Sequence, residues 1–207
     1  ARSWLWALAL ISAPLVLCCS PPPDMRGLQN LERAYEDQLK LWTRQDRVYS
    51  SLDWILTVNA TYLSAEFRRA FGSQYVSIFG IDPGKVDSDL EVLATSVGRG
   101  HEFFLFADAS DLGWNNFDDR DSVWRMAIWG GKDQLGVPPV TIHRFAGRGP
   151  NLKAFFPFIN DFGRSYLVVF PLEQANGKPV LEPESGNLTI KLASAFGAAT
   201  MDWKVSE

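Results

Sequence analysis

Cysteine is nearly absent from this sequence: its 207 residues include two, and these are neighbours, Cys18 and Cys19. Such a chain has no disulfide scaffold and no spaced thiols with which to build a zinc finger. Histidine is equally scarce, with only His101 and His143, so imidazole is in short supply for base catalysis or metal ligation. Positive charge is in deficit, 20 Lys and Arg against 24 Asp and Glu for a net charge of -4. That balance excludes the phosphate-binding surface on which nucleic-acid recognition depends. There is no Gly-x-Ser-x-Gly elbow, phosphate-binding loop or His-Glu-x-x-His helix, and Gly98-Arg-Gly100-His-Glu-Phe103 lacks the third glycine of a dinucleotide fingerprint. The sequence therefore predicts neither a small-molecule cofactor nor a catalytic residue. What is present suits a folded body: 46% of residues are hydrophobic and 13% aromatic. A chain of this length buries roughly 70% of its unfolded surface in a single domain.

The N-terminus carries the clearest signal. Trp4 to Leu17 form an apolar run of 14 residues, preceded by Arg2 and followed by Cys18, Cys19, Ser20 and three prolines. As a helix this run spans about 21 Å, short of a hydrocarbon core of roughly 30 Å. A basic start, a short apolar segment and small residues at its end form the pattern of an export signal. Val16, Leu17 and Cys18 ahead of Cys19, with Pro14 interrupting the apolar run and Ser20 opening a polar tether, resemble the signal of bacterial lipoproteins. The resemblance implies cleavage before Cys19 and lipidation of that residue, with Cys18 as the alternative acceptor. It further implies an exported protein moored to a membrane through its lipid, with Ser20 after the modified cysteine pointing to the outer membrane, facing periplasm or surface. Residues 1–18 are then signal and 19–24 lipidated cysteine plus Pro-rich tether, leaving 25–207 as one domain. Without Arg2 the mature chain carries a net charge of -5, which offers no attraction to anionic lipid; the acyl chains hold it alone.

Within the domain, Asp24 is placed to cap an amphipathic helix over 25–45, with Leu28, Leu31, Tyr35, Leu39 and Trp42 recurring at steps of three and four. The segment 52–98 begins with a period of two, Leu52, Trp54, Leu56, Val58 and Ala60 facing inward and Asp53, Thr57, Asn59 and Thr61 outward, which predicts a half-buried strand. A helix capped by Ser64 follows, carrying Phe67, Ala70 and Phe71 inward, and then a second opened by the capping box Ser88-Asp-Leu-Glu91 and closed by Gly98. The remainder, 101–206, is strand-rich: 101–107, 123–129, 140–145, 166–170, 188–192 and 201–205. With the strand from Leu52 this makes seven short strands punctuated by turn residues, the pattern of an antiparallel β-sandwich, immunoglobulin-like in architecture. Leu188-Thr-Ile-Lys-Leu192 and Met201-Asp-Trp-Lys-Val205 alternate and each keep one wet face, whereas Phe103-Phe-Leu-Phe106 and Tyr166-Leu-Val-Val-Phe170 are apolar on both sides. The outer face of that sheet needs a cover, and the three helices supply it, giving a mainly β, α+β fold. Lys153 to Phe162 is too apolar for a solvated loop, and Pro157 bars a regular strand.

Two features hold candidate binding residues. Asp108, Asp111, Asp118, Asp119 and Asp121 crowd with Asn115 and Asn116 into 14 residues between two strands. Calcium takes six to eight oxygens from such a loop, but the spacing is not that of an EF-hand, and Asp and Asn also serve as ordinary turn formers. Trp114 lies in the same loop, where an indole suits contact with a protein or glycan partner, so Trp114, Asn115 and Asn116 are the candidate contact residues. Three functions follow for comparison. The first is a lipid-anchored envelope protein with a non-catalytic structural or binding role. The second is a calcium-dependent adhesion or binding module built on the 108–121 loop, and the third an envelope hydrolase pairing those Asp residues with His101 or His143.

Overall fold

The computed structural model describes residues 23–80, 93–94, 100–131, 135–145 and 150–205, with side chains of the first helix from residue 32 onward. The elements are α1 (Pro23–Trp42), β1 (Thr43–Ser50), β2 (Asp53–Tyr62), α2 (Ala65–Phe79), β3 (His101–Ala109), β4 (Arg125–Trp129), β5 (Thr141–Arg144), α3 (Pro150–Phe155), β6 (Arg164–Phe170), β7 (Asn187–Ser194) and β8 (Gly197–Lys204). A 3-10 turn at Leu112–Trp114 follows β3. All strand pairs are antiparallel, and they form a five-stranded sheet β1-β2-β3-β6-β5 and a three-stranded sheet β4-β7-β8. The fold is thus mainly β with helices. With β1 set aside, the two sheets read β2-β3-β6-β5 and β4-β7-β8, the strand order of the constant-type immunoglobulin sandwich. The match is one of order alone, because the described residues contain no cysteine with which to pin the sheets together.

The alternation of side chains along β3 explains both layers of the core. Phe103 faces the second sheet and meets the Trp203 ring of β8 at 5.0 Å. Phe104 faces the opposite way and stacks on Phe156 at 4.0 Å. Strand β3 is buried over His101–Ala107, because α1, α2 and α3 cover the face that the sandwich leaves free. Tyr35 of α1 touches the rings of Phe67 and Phe71 of α2 and Phe155 of α3, and its hydroxyl donates to the Phe155 carbonyl at 2.8 Å. Each fully buried aromatic of this layer contributes roughly 1.5–3 kcal/mol of transfer free energy. The apolar segment after Lys153 is accounted for: Phe155 and Phe156 are enclosed within it, while Phe162, past Pro157, is 72% exposed.

Several expectations are corrected. The first helix stops at Trp42 rather than 45, and Thr43–Ser50 form a strand that the sequence reading had no signal for. The alternation of Thr43, Gln45, Arg47 with Arg44, Asp46, Val48 is polar on both sides, since β1 lies at the sheet edge and buries only Val48. The helix begins at Pro23, inside the expected tether, with proline at the first helical position where its missing N–H is harmless. Leu52 is not inward: it sits at the β1–β2 turn, 96% exposed, after Ser51 in a left-handed conformation at φ 56°. Nor is β2 half-wet. Asn59 and Thr61 are buried and meet cross-strand partners, Gln45 Nε2 donating to Asn59 Oδ1 and Thr43 Oγ1 lying 2.8 Å from Thr61 Oγ1. A buried polar side chain tolerates that position because its partner is supplied. The Ser64 cap holds as expected, accepting from the Phe67 N–H at 3.1 Å. The helix expected from Ser88 lies outside the described residues, apart from helical Leu93 and Ala94. Among the described residues the strands number eight, one more than expected.

The two sheets also meet at their edges. Along β1 and β8, Arg44 Nε donates to the Asp202 carbonyl at 2.9 Å, and the Thr200 N–H donates to Asp46 Oδ2 at 2.7 Å. Val48 rests against Gly197, where a Cβ would come within 2.9 Å of its Cγ1 and where φ is +140°. Side chains here do what a backbone ladder does elsewhere. At the far side, Ile128 of β4 pairs with Val137 before the chain enters β5. Both edges of the three-stranded sheet are therefore occupied.

Candidate functional site

The acidic loop is held by its own side chains. Asp111 Oδ1 accepts from the Gly113 N–H at 2.7 Å and so starts the 3-10 turn. Asp108 accepts from Asn160 Nδ2 at 2.9 Å, Asp118 pairs with the Arg144 guanidinium, and Asp119 accepts from the Asp121 N–H at 3.1 Å. Hydrogen bonding to Asp118 raises the Arg144 pKa above its ordinary value. Four of the five carboxylates thus serve four separate local tasks, and Asp121 takes part through its backbone N–H. Among the described residues no group of three or more His, Cys, Asp or Glu side chains is placed to hold a metal ion.

The contact candidates of that loop are also engaged. The Trp114 ring stacks on Phe196 of the β7–β8 turn at 4.5 Å, and its carbonyl accepts from Trp124 Nε1 at 3.1 Å. Asn115 is fully enclosed: its Nδ2 donates to the Ala107 carbonyl at 2.7 Å, while Tyr166 hydroxyl donates to both its carbonyl and its Oδ1 at 2.8 and 3.0 Å. Burial raises the Tyr166 pKa, so the phenol stays a donor. Asn115 is a plug between β3 and β6, not a contact residue. Asn116 is half-buried, with its Oδ1 shielded and unpartnered among the described residues.

Neither histidine joins the loop carboxylates. His101 opens β3, and Asp108 lies seven residues along the same strand, about 23 Å away at 3.3 Å per residue. His101 is buried, with Nδ1 3.3 Å from the Tyr62 hydroxyl, and burial lowers its pKa. His143 is exposed on β5 beside Phe145. It points to the sheet face opposite that of Arg144, the residue that holds Asp118. Beside His101, Arg68 of α2 pairs with Glu102, the two being 6% and 4% exposed. Arg68 also donates to the Leu63 and Leu93 carbonyls at 3.2 and 2.6 Å, tying α2 to β2 and to the segment around Leu93. Burial lowers the Arg68 pKa and Glu102 opposes that shift.

A concave surface among the described residues lies elsewhere, on the outer face of β4-β7-β8. Register sets Trp129, Thr189 and Asp202 in one row across the three strands, with Lys191 in the row on one side and Asn187 in the row on the other. The loop following Val180 forms the wall, with Glu182 and Glu184. It closes against two glycines that no other residue can replace without movement: a Cβ on Gly130 would lie 1.7 Å from the Val180 carbonyl oxygen, and one on Gly131 2.4 Å from the Glu182 carboxylate. Ser185 Oγ latches the loop to the Gly130 carbonyl. The result is an open groove of about 1010 Å³. Thr189 Oγ1 donates to Asp202 Oδ1 at 2.6 Å. The side chains of Asn187, Lys191 and Glu184 have no hydrogen-bond partner among the described residues and stand at the groove's surface. The sequence contained part of this: the alternation of β7 and β8 marks Thr189, Lys191 and Asp202 as wet. Nothing local marks Trp129 as their neighbour.

Cys18 and Cys19 lie outside the described residues, and no described helix is long and apolar enough to cross a membrane. Comparison of the chain with protein-family models, with curated proteins and with solved structures finds no match.

Proposed function

We propose that the protein is a non-catalytic binding module of the bacterial cell envelope, exported and held to the outer membrane by acyl chains on Cys19. Its ligand surface is the groove on the outer face of β4-β7-β8. The observation that carries the anchoring is the apolar run Trp4–Leu17 ending in the chain's only cysteines. Because α1 starts at Pro23, the folded body begins within about 14 Å of Cys19 even with the intervening chain fully extended. A lipid there holds the sandwich close to the bilayer and leaves its ligand surface to face envelope components. Mass spectrometry of protein extracted from membranes is expected to find an N-terminal peptide starting at acylated Cys19. In Cys19→Ala the leader is retained and acylation lost. Wild-type protein that keeps its leader, or fractionates as a soluble species, overturns the reading.

A further inference from the structure

We infer that the groove on β4-β7-β8 takes a neutral, polyhydroxylated ligand, a chain of sugar rings, with Trp129 as the stacking platform. The inference rests on the proposed function only in treating this groove as the binding surface.

Charge removes the first alternatives. Among the described residues, Glu184 and Asp202 line the groove with Lys191 as the cation between them, and Glu182 stands in the wall, so an anionic ligand, whether nucleic acid or acidic polysaccharide, meets a net negative lining. A lipid or other wholly apolar ligand is disfavoured for another reason. Around the indole the lining offers the Glu184 carboxylate, the Asn187 carboxamide and the Lys191 ammonium, which would be cut off from water beneath an apolar ligand. An extended peptide commonly joins a sheet through a free edge, taking its main-chain hydrogen bonds there. Here both edges are partly taken, β8 through side-chain bonds to β1 and β4 through the pairing of Ile128 with Val137, which leaves a peptide little continuous ladder to join.

Sugars fit what remains. Each hydroxyl both donates and accepts, matching a lining that holds acceptors (Asp202, Glu184), a donor (Lys191) and a carboxamide that does both (Asn187). The C–H face of a pyranose is apolar and stacks on the face of an indole. The row Trp129, Thr189, Asp202 spans three strands, about 10 Å at 4.8 Å between neighbours, so platform and acceptor lie a sugar unit or more apart. The groove is open rather than enclosed, and its volume stands at the upper end of small-molecule sites, which suits a segment of a longer chain. The wall is preformed, since the Gly130-Gly131 contacts and the Ser185 latch fix the loop in place without a ligand. Little ordering cost is left to binding.

The test uses the full chain in a detergent without a sugar headgroup. It is titrated by calorimetry with the neutral tetrasaccharides of glucose and of N-acetylglucosamine, alongside a heparin tetrasaccharide and tetra-arginine. Mass spectrometry of the same preparation reports anchoring separately. At least one neutral tetrasaccharide is expected to bind while the heparin fragment does not. Trp129→Ala is expected to weaken binding about tenfold or more. Asn187→Ala and Glu184→Gln alter exposed side chains without partners among the described residues, so they keep the fold and decide the matter should Trp129→Ala fail to fold; each is expected to weaken binding severalfold. Absence of binding to both neutral sugars, binding of tetra-arginine or heparin alone, or saccharide binding indifferent to all three substitutions overturns the inference.

Discussion

The buried ion pair between Arg68 and Glu102 offers the sharpest test of how this fold is held. Removing the carboxylate by Glu102→Gln leaves a guanidinium that is 6% exposed without its counter-charge. Breaking a buried pair from one side costs about 3–5 kcal/mol, because the charge left behind loses the carboxylate that compensated its desolvation. The Leu63 and Leu93 carbonyls still accept from Arg68, which places the expected value at the lower end, about 3 kcal/mol. In a protein whose whole stability is of order 5–15 kcal/mol this is a large share. At about 2–4 °C per kcal/mol for a chain of this size, Tm falls by roughly 6–12 °C. The double variant Arg68→Met/Glu102→Leu removes both charges at similar volume and is expected to cost less than Glu102→Gln alone. The assay is urea and thermal unfolding followed by near-ultraviolet circular dichroism. A Glu102→Gln variant within about 1 kcal/mol of wild type, or a double variant less stable than the single, refutes the reasoning.

Acid stability is expected to depend on His101, whose pKa burial holds below the ordinary value. The unfolded chain then takes the proton first, so stability is full above about pH 6.5 and falls as pH drops towards the folded-state pKa; in His101→Gln the decline of Tm from pH 7 to about pH 5 is shallower. At the alkaline end, burial raises the pKa of Tyr35, Tyr62 and Tyr166. Their contribution is intact below about pH 10 and lost above it as the unfolded phenols ionise. Tyr35→Phe flattens that loss in urea titrations and, by orphaning the Phe155 carbonyl, costs about 1–2 kcal/mol at neutral pH. Gly130→Ala drives a Cβ against the Val180 carbonyl and is expected to cost about 1–3 kcal/mol in urea unfolding while displacing the groove wall. Millimolar calcium is expected to leave the melting midpoint unmoved, because Asp108, Asp111, Asp118 and Asp119 are already engaged in four separate protein contacts; a rise of several degrees overturns that assignment.

Patterns confined to one element were legible before any fold was known. Leu188, Ile190 and Leu192 alternate with Thr189 and Lys191 because one face of a strand meets a core and the other water, and the structure has them so. Phe103 to Phe106, apolar on both sides, announced a covered sheet in the same way. Ser64 capped its helix as its side chain dictates. Strand β1 was illegible, since an edge strand stapled through Arg44 and Asp46 requires no apolar alternation. The candidate binding residues fared worst. Trp114 and Asn115 have the composition of a contact loop, yet one stacks on a hairpin turn and the other fills a gap between strands. Which of two indoles is packed and which lines a groove depends on residues far along the chain, Phe196 for Trp114 and Thr189 for Trp129.

The sequence by itself determined the cap of α2, which faces of β7 and β8 are apolar, and that an uncharged run stops at a pair of thiols. These follow from local sterics, periodicity and solubility, which act over a few neighbouring residues. The tertiary structure alone decided that Trp129, Thr189 and Asp202 share a row, that Arg68 meets Glu102, and that two sheets close along β1 and β8. Strand register and sheet order bring together groups distant in the chain, and no local propensity encodes that distance.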